Sequence, residues 1–159
     1  MDTAKCLAKT RILILHPNME VGGTETQIVN MVNGLVARGH CEVFVALYEV
    51  RGALLNRLIQ SEFVHVLNLS KNSRGLIFCL FRLLKLITRF EINVICTFLV
   101  GPNVLSALIG LLNRNTRIIW GNRISWFEKS DFGIKGRLSG ALEVLLSRTV
   151  DVVVANSNS

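Results

Sequence analysis

Short apolar runs alternate along the chain with segments in which apolar residues recur every three or four positions. The first run, Arg11–Leu15, is apolar without alternation, which is typical of a strand covered on both faces in a parallel sheet. After a polar loop, apolar residues fall on one face of a helix: Ile28, Met31, Val32, Leu35 and Val36. The pattern therefore predicts a strand, a loop and a helix at the start of the chain.

This first helix has predicted signals at both ends. Thr24, followed three residues later by Gln27, forms a capping box at its start, in which side chains satisfy free backbone N–H groups. Gly39, after Arg38, supplies the left-handed residue that ends many helices. We therefore expect the helix to start at Thr24 and to stop before Gly39.

The same alternation continues to the end of the chain. Further strands are predicted over residues 42–48, 63–69, 92–98, 117–121 and 151–155. Further helices are predicted over residues 53–60, 76–90, 102–113 (with Pro102 at the first helical position) and about 135–148. Six strands and five helices in this order predict an α/β fold, a doubly wound Rossmann-like parallel sheet of about six strands with helices on both faces. We expect residues 1–159 to form one such domain.

Composition agrees with a globular fold. Of the 159 residues, 50% are hydrophobic, 18% are charged and two are proline, which excludes a disordered protein. The four cysteines are far apart and form no CxxC pair, so we expect reduced thiols and neither a zinc site nor a disulfide framework. The histidines have no metal-ligand spacing either, and no metal is expected.

Two segments bear on the cellular compartment. The apolar run before His16 is too short for a signal peptide, so secretion is not expected. The uncharged stretch 92–113 reaches membrane-spanning length, but Gly101-Pro102-Asn103 interrupts it with a turn signal. We interpret it as a buried strand and helix rather than a transmembrane span. A cytoplasmic protein is expected, with peripheral attachment to the inner face of the membrane as an alternative.

The net charge of +7 is unevenly distributed. Residues 1–66 carry six basic and six acidic side chains, whereas residues 67–159 carry twelve and five. Such asymmetry favours a polyanionic partner, namely an acidic membrane surface, a nucleic acid or a phosphorylated small molecule. In the predicted helix 76–90, Arg82, Lys85 and Arg89 form one stripe, either for contact with lipid phosphates or as an ordinary solvent face. The cations form no recognised nucleic-acid motif, so no nucleic-acid partner is predicted.

Ligand chemistry is expected where strands end, since parallel α/β sheets bind ligands outside the carboxyl ends of their strands. Gly22 and Gly23 precede a helix N-terminus, where backbone N–H groups and the helix dipole favour an anion; alternatively they only make the turn. Neither the GxGxxG nor the Walker fingerprint is present. Of the three histidines, His16 alone lies at a carboxyl strand end.

A second candidate loop follows the fifth strand. It runs from Trp120 to Trp126 and includes Asn122 and Arg123. Aromatic rings with an amide and a guanidinium suit a sugar or a phosphate, because Arg binds anions bidentately. In the alternative interpretation, the two tryptophans only pack beneath a lid.

Five stretches of the chain form a recognisable series. They are Arg11–Pro17, Gly22–Glu25, Ala37–His40, Glu42–Val45 and Asp151–Ser157. The first four resemble the opening of glycosyltransferase family 4, and the last is similar to the sixth-strand ending of that family's N-terminal domain. The likeness covers nearly the whole chain.

The resemblance implies the GT-B architecture, in which two Rossmann-like domains face each other across a cleft. It implies a hexosyltransferase-type enzyme of polysaccharide biosynthesis that moves a sugar from a UDP- or GDP-sugar to a glycan or lipid-linked acceptor. The transfer would be independent of metals and other cofactors and would retain the anomeric configuration. By position, the loop facing the donor phosphates would be Gly22, Gly23 and Thr24. Contacts to the acceptor or the sugar are assigned by location to His16, Glu25, Asn122 and Arg123.

The chain resembles only the N-terminal, acceptor-side half of such an enzyme. In the family, the C-terminal domain holds most of the nucleotide-sugar, and no matching second domain follows here. We therefore expect the chain to be inactive alone and to need a C-terminal domain or a partner subunit; a truncated reading frame, a split enzyme and a fragment remain open. The alternative function is a peripheral membrane or partner-binding module without catalysis.

Overall fold

A six-stranded sheet forms the centre of the molecule. The computed structural model describes residues 10–58, 62–69, 75–122 and 141–155. The strands are β1 Thr10–His16, β2 Cys41–Leu47, β3 Val64–Asn68, β4 Val94–Thr97, β5 Arg117–Asn122 and β6 Val152–Ala155. Every neighbouring pair is parallel, in the order β3-β2-β1-β4-β5-β6. This confirms the predicted doubly wound, Rossmann-like α/β fold.

Helices connect the strands. The described residues include three long α-helices: α1 Gly23–Ala37, α2 Gly75–Arg89 and α3 Val100–Leu112. Residues 141–146 are also helical and lead into the short 3-10 helix Ser147–Thr149. The short helix predicted over residues 53–60 is a 3-10 helix, Ala53–Arg57, in its described part.

The sheet buries a separate core on each face. Because successive strand residues point to opposite faces, Leu13 and Leu15 contribute to one core while Ile14 contributes to the other. The first core includes residues of α2 and α3, and the second includes residues of α1. Burying one such aliphatic side chain stabilises the fold by about 1.5–3 kcal/mol. Helices thus cover both faces, as the sequence predicts.

The start of α1 differs from the prediction. The residue before its first turn is Gly22, in extended conformation, and no side chain caps the helix. Thr24 already lies inside the helix, so the predicted capping box with Gln27 is wrong. Instead the Thr26 hydroxyl donates to the Gly22 carbonyl over 2.7 Å. At the other end the prediction is confirmed, because Gly39 adopts φ +71° and its N–H donates to Val36.

The stretch 92–113 contains β4 and α3, which confirms the strand and helix interpretation. Pro102 is the third residue of α3 rather than the first, a correction to the predicted start. Proline is tolerated there because N–H groups of the first helical turn have no acceptor within the helix. Among the described residues, no helix combines the length and hydrophobicity that crossing a membrane requires.

Candidate functional site at the carboxyl edge of the sheet

The order of the strands creates a crevice between β1 and β4. The chain moves outward from β1 through β2 to β3 and then crosses back to β4 on the other side of β1. At this switch point, α1 follows β1 and α3 follows β4, so both helices present their N-termini at the same edge. Open α/β sheets bind their ligands at such a place. His16 ends β1 and Thr97 ends β4, and Leu15 is the register partner of Thr97.

Three of the predicted site residues meet at the end of β1. His16 is fully buried, and its Nε2 lies 2.8 Å from Oε1 of Glu25 in the first turn of α1. The carboxylate folds back over Gly22, where an added β-carbon would lie 2.2 Å from Glu25 Oε2. The structure thus explains the glycine at position 22, because any larger residue would displace Glu25.

The imidazole of His16 is held in one tautomer by this contact. A carboxylate oxygen accepts hydrogen bonds, so the neutral ring donates to Glu25 through Nε2, and Nδ1 keeps its lone pair. Within the described parts of the chain, Nδ1 is buried and has no hydrogen-bond partner. Burial lowers the pKa of His16, and the hydrogen bond that His16 donates to Glu25 opposes this shift. The neutral ring is therefore favoured at physiological pH.

The first turn of α1 presents backbone donors. The first intrahelical bond of α1 is donated by the N–H of Thr26 to Gly22, over 3.0 Å. The N–H groups of Gly23, Thr24 and Glu25 therefore precede the first acceptor that the helix provides. Gly23 is exposed, and a β-carbon there would meet no described atom within 4 Å. Backbone amides of this kind bind phosphates in other helices, and a phosphate at this loop stays a prediction.

A second loop fixes the segment between β1 and α1. Met19 donates to the carbonyl of Arg51 over 2.8 Å and accepts from Leu54 over 3.0 Å. Gly52 has φ +120°, and an added β-carbon would lie 2.0 Å from the Met19 carbonyl carbon. Arg51 also pairs with Glu20 and with Glu49.

Sequence reasoning missed this bracing. Arg51-Gly52 signals a turn, but no local pattern reveals that Gly52 approaches the backbone of Met19.

The loop after β5 gives a different result. Trp120 is buried, and its Nε1 donates to Ser106 Oγ over 2.9 Å. It packs in the core, so its interpretation as a sugar platform is wrong. Asn122 is the last residue of β5, at the carboxyl edge, but its side chain lies outside the described part of the chain, as do Arg123 and Trp126.

The basic stripe lies elsewhere. Arg82, Lys85 and Arg89 occupy the second half of α2. Because α2 connects the carboxyl end of β3 to the amino end of β4, this half points away from the edge that carries Gly22. The structure therefore does not bring the stripe together with the glycine loop.

The described residues offer little to metal or thiol chemistry. Among them, no group of three His, Cys, Asp or Glu residues could hold a metal ion. Cys41, Cys79 and Cys96 form no disulfide. Burial raises the pKa of Cys96 to about 11, which keeps this thiol protonated and unreactive at neutral pH. Cys6 lies outside the described residues.

The architecture is shared with several solved structures. The Anabaena protein Alr3699/HepE, solved in complex with UDP, is 20% identical with a TM-score of 0.68, and the match covers 93% of this chain and 38% of that one. Sucrose-phosphate synthase of Thermosynechococcus elongatus is 11% identical with a TM-score of 0.65, and the match covers 91% of this chain and 42% of that one. A glycosyltransferase of Rickettsia africae is 16% identical with a TM-score of 0.59, and the match covers 96% of this chain and 44% of that one. At these identities the likeness shows the fold.

The sequence itself identifies the family. Residues 21–159 match the profile of Glycosyltransferase Family 4, and the chain belongs to this family. No curated protein sequence shows significant similarity to it. The chain spans about two fifths of the length of the solved structures it matches, which corresponds to one half of the GT-B fold.

Proposed function

We propose that this family 4 domain forms the acceptor-side wall of a glycosyl-transfer cleft. The observation that carries the proposal is the open first turn of α1 at the switch point, with Gly23 exposed and with Glu25 tied to the buried His16. A nucleotide-sugar would place its diphosphate against the amides of Gly23 and Thr24, where the helix dipole favours negative charge.

Glu25 has a separate role in this proposal. A carboxylate repels a diphosphate but accepts hydrogen bonds from hydroxyl groups, so Glu25 would contact the sugar or the acceptor. His16 does not reach the substrate, because it is fully buried; it holds Glu25 through the 2.8 Å contact. His16 is therefore a positioning residue. Asn122 ends β5 at the same edge, and it stays a proposed contact to the sugar or the acceptor together with Arg123, the next residue in the sequence.

The proposal also assigns the chain half of an active site. Transfer requires two oriented substrates, exclusion of water and stabilisation of developing charge, and these effects supply most of the rate. One wall of a cleft encloses no donor. We therefore propose that the chain binds a UDP- or GDP-sugar weakly by itself and requires a C-terminal domain or a partner subunit for transfer to a glycan or a lipid-linked acceptor.

The experiment is an NMR titration of the ¹⁵N-labelled chain with UDP-glucose and GDP-mannose, together with an assay for released nucleotide. We expect saturable shifts at the amides of Gly22–Glu25 in the millimolar range and no turnover. Shifts confined to another surface, or none at all, would contradict the assignment of the loop. Turnover by the chain alone would contradict the half-site.

A further inference from the structure

The outward face of α2 carries large apolar side chains. Ile77 is 70% exposed, Phe81 66% and Phe78 40%. On the other side of the same helix, Cys79, Leu83 and Ile87 are buried in the core. A helix that packs against a sheet normally presents polar residues to water, so these three exposed side chains need an explanation. Clustered exposed apolar residues mark interaction sites.

Cations adjoin this apolar cluster on the same face. At about 100° of rotation per residue, the three apolar side chains span about 100° of the helix surface, from Ile77 to Phe78. Lys85 falls inside this arc, and Arg89 and Arg82 lie next to its Phe78 end. Lys85 and Arg89 are exposed, and Arg82 is half-buried. Within Gly75–Arg89 there is no acidic residue. The following acid, Glu91, pairs with Arg11, and among the described residues no acidic side chain forms an ion pair with the three cations of the helix.

We propose that the outer face of α2 docks on an anionic lipid bilayer. Ile77, Phe78 and Phe81 enter the boundary between headgroups and acyl chains. The three cations contact lipid phosphates. The helix has 15 residues and a length of about 22 Å, so it lies in the interface and does not span it. Charge complementarity selects this occupant, because apolar side chains flanked by cations without acids match an anionic surface.

The two ends of α2 lie at opposite edges of the sheet. Its first half, with the apolar side chains, begins after the carboxyl end of β3, and its second half returns to the amino end of β4. Because apolar side chains lie in the first half and cations in the second, docking engages the whole helix and lays it parallel to the bilayer. The docking surface itself does not depend on the proposed glycosyl transfer, so each can fail without the other.

The test is flotation of the full chain with vesicles of phosphatidylcholine, with and without phosphatidylglycerol. We expect binding only with phosphatidylglycerol. Raising the salt from about 0.1 M to about 1 M shortens the Debye length from about 10 Å to about 3 Å and should release most of the protein.

Variants separate the two contributions. The double substitution Lys85→Gln, Arg89→Gln should weaken partitioning roughly 30-fold, since each cation near an anionic surface contributes about 1 kcal/mol. Phe81→Gln should weaken it roughly tenfold through lost apolar burial. The controls are Arg114→Gln and Leu112→Gln, which change an exposed cation and an exposed apolar residue outside α2 and should leave binding within about twofold.

The outcomes are distinct. Circular dichroism checks that each variant melts like the parent chain. Salt-insensitive binding to neutral vesicles, no binding to either vesicle, or equal losses in α2 variants and controls would overturn the proposal. A chain that ignores vesicles but self-associates through Phe81 would identify a second copy as the occupant and would equally overturn it.

Discussion

The N-termini of α1 and α3 occupy equivalent places but are built differently. Both follow a central strand and reach the carboxyl edge at the switch point. The start of α1 combines Gly23 with Glu25 and the buried His16. The start of α3 is apolar, with Leu99 and Val100, and Pro102 removes one of its backbone donors. The two helix starts thus share a place in the topology and differ in their side chains, and we propose an anion site at the first.

The two loops that lead into these helices also differ. The segment before α1 is tied to the loop after β2 through Met19, Arg51 and Gly52. The segment before α3 is a two-residue connection in which the Phe98 ring covers Gly121, where a β-carbon would lie 2.3 Å from the ring. The loop before α1 is thus longer and held by backbone hydrogen bonds, whereas the loop before α3 is short and packs its ring against β5.

The largest effect is expected from a substitution that breaks the close contact between Gly52 and the Met19 backbone. Gly52→Ala combines a strained backbone at φ +120° with a clash against the Met19 backbone, so it should destabilise the fold by about 3 kcal/mol or more. The melting temperature should fall by about 10 °C. Gly39→Ala is the control, since it has φ +71° but meets no described atom within 4 Å, and it should cost only about 1 kcal/mol. Similar losses for both variants would contradict the bracing.

A smaller effect is expected at the contact between Gly22 and Glu25. Gly22→Ala pushes the flexible carboxylate away and leaves the buried His16 without its partner, at a cost of about 1–2 kcal/mol. Gly101→Ala in the first turn of α3 meets no described atom within 4 Å and should be neutral or slightly stabilising. Urea denaturation measures both. An unchanged stability of Gly22→Ala, or equal losses at the two sites, would show that the carboxylate does not depend on this glycine.

The smallest effect is a pH dependence that only the α1 site can show, since α3 contains no titratable side chain. Burial lowers the pKa of His16 in the folded chain below 6.5, its ordinary value. The unfolded chain therefore binds more protons below pH 6.5, and stability falls as the pH falls from there towards the folded pKa. Denaturation at several pH values should show a shallower decline for His16→Gln than for the parent chain.

NMR of the histidine rings measures the pKa of His16 directly. Glu25→Gln removes the interaction that raises the pKa of His16, so the ring should titrate at a lower pH than in the parent chain. A His16 ring that titrates above 6.5, or that ignores Glu25→Gln, would contradict the buried pair.

Local patterns predicted the fold and the place of the glycine loop within it. The uninterrupted apolar runs indicated buried parallel strands, and the polar residues after β1 placed the glycines at its carboxyl end. The start of α1 could not be predicted in the same way. Thr24 and Gln27 match a capping box, but the helix already starts at Gly23. Glu25 in its first turn contacts the buried His16 at the end of β1, a long-range contact that no local pattern reveals.

Long-range contacts account for the other differences. The close approach of Gly52 to Met19 links the loops that follow two neighbouring strands. Trp120 lies in the core, where Ser106 on α3 accepts a hydrogen bond from its N–H. The exposure of Ile77 and Phe81 also depends on which face of α2 meets the sheet. The sequence shows an almost wholly apolar helix with four polar residues, and only packing shows which apolar residues remain outside.

The most direct test of the account compares the same substitution at the two helix starts. Gly23→Ala places a methyl group in open space before the amides of α1, and Gly101→Ala does so at α3. In an NMR titration with UDP-glucose, we expect Gly23→Ala to weaken binding about tenfold, the loss of one charge-assisted hydrogen bond, while Gly101→Ala binds like the parent chain. Equal affinities for all three proteins, or a greater loss at Gly101, would contradict a ligand site at α1.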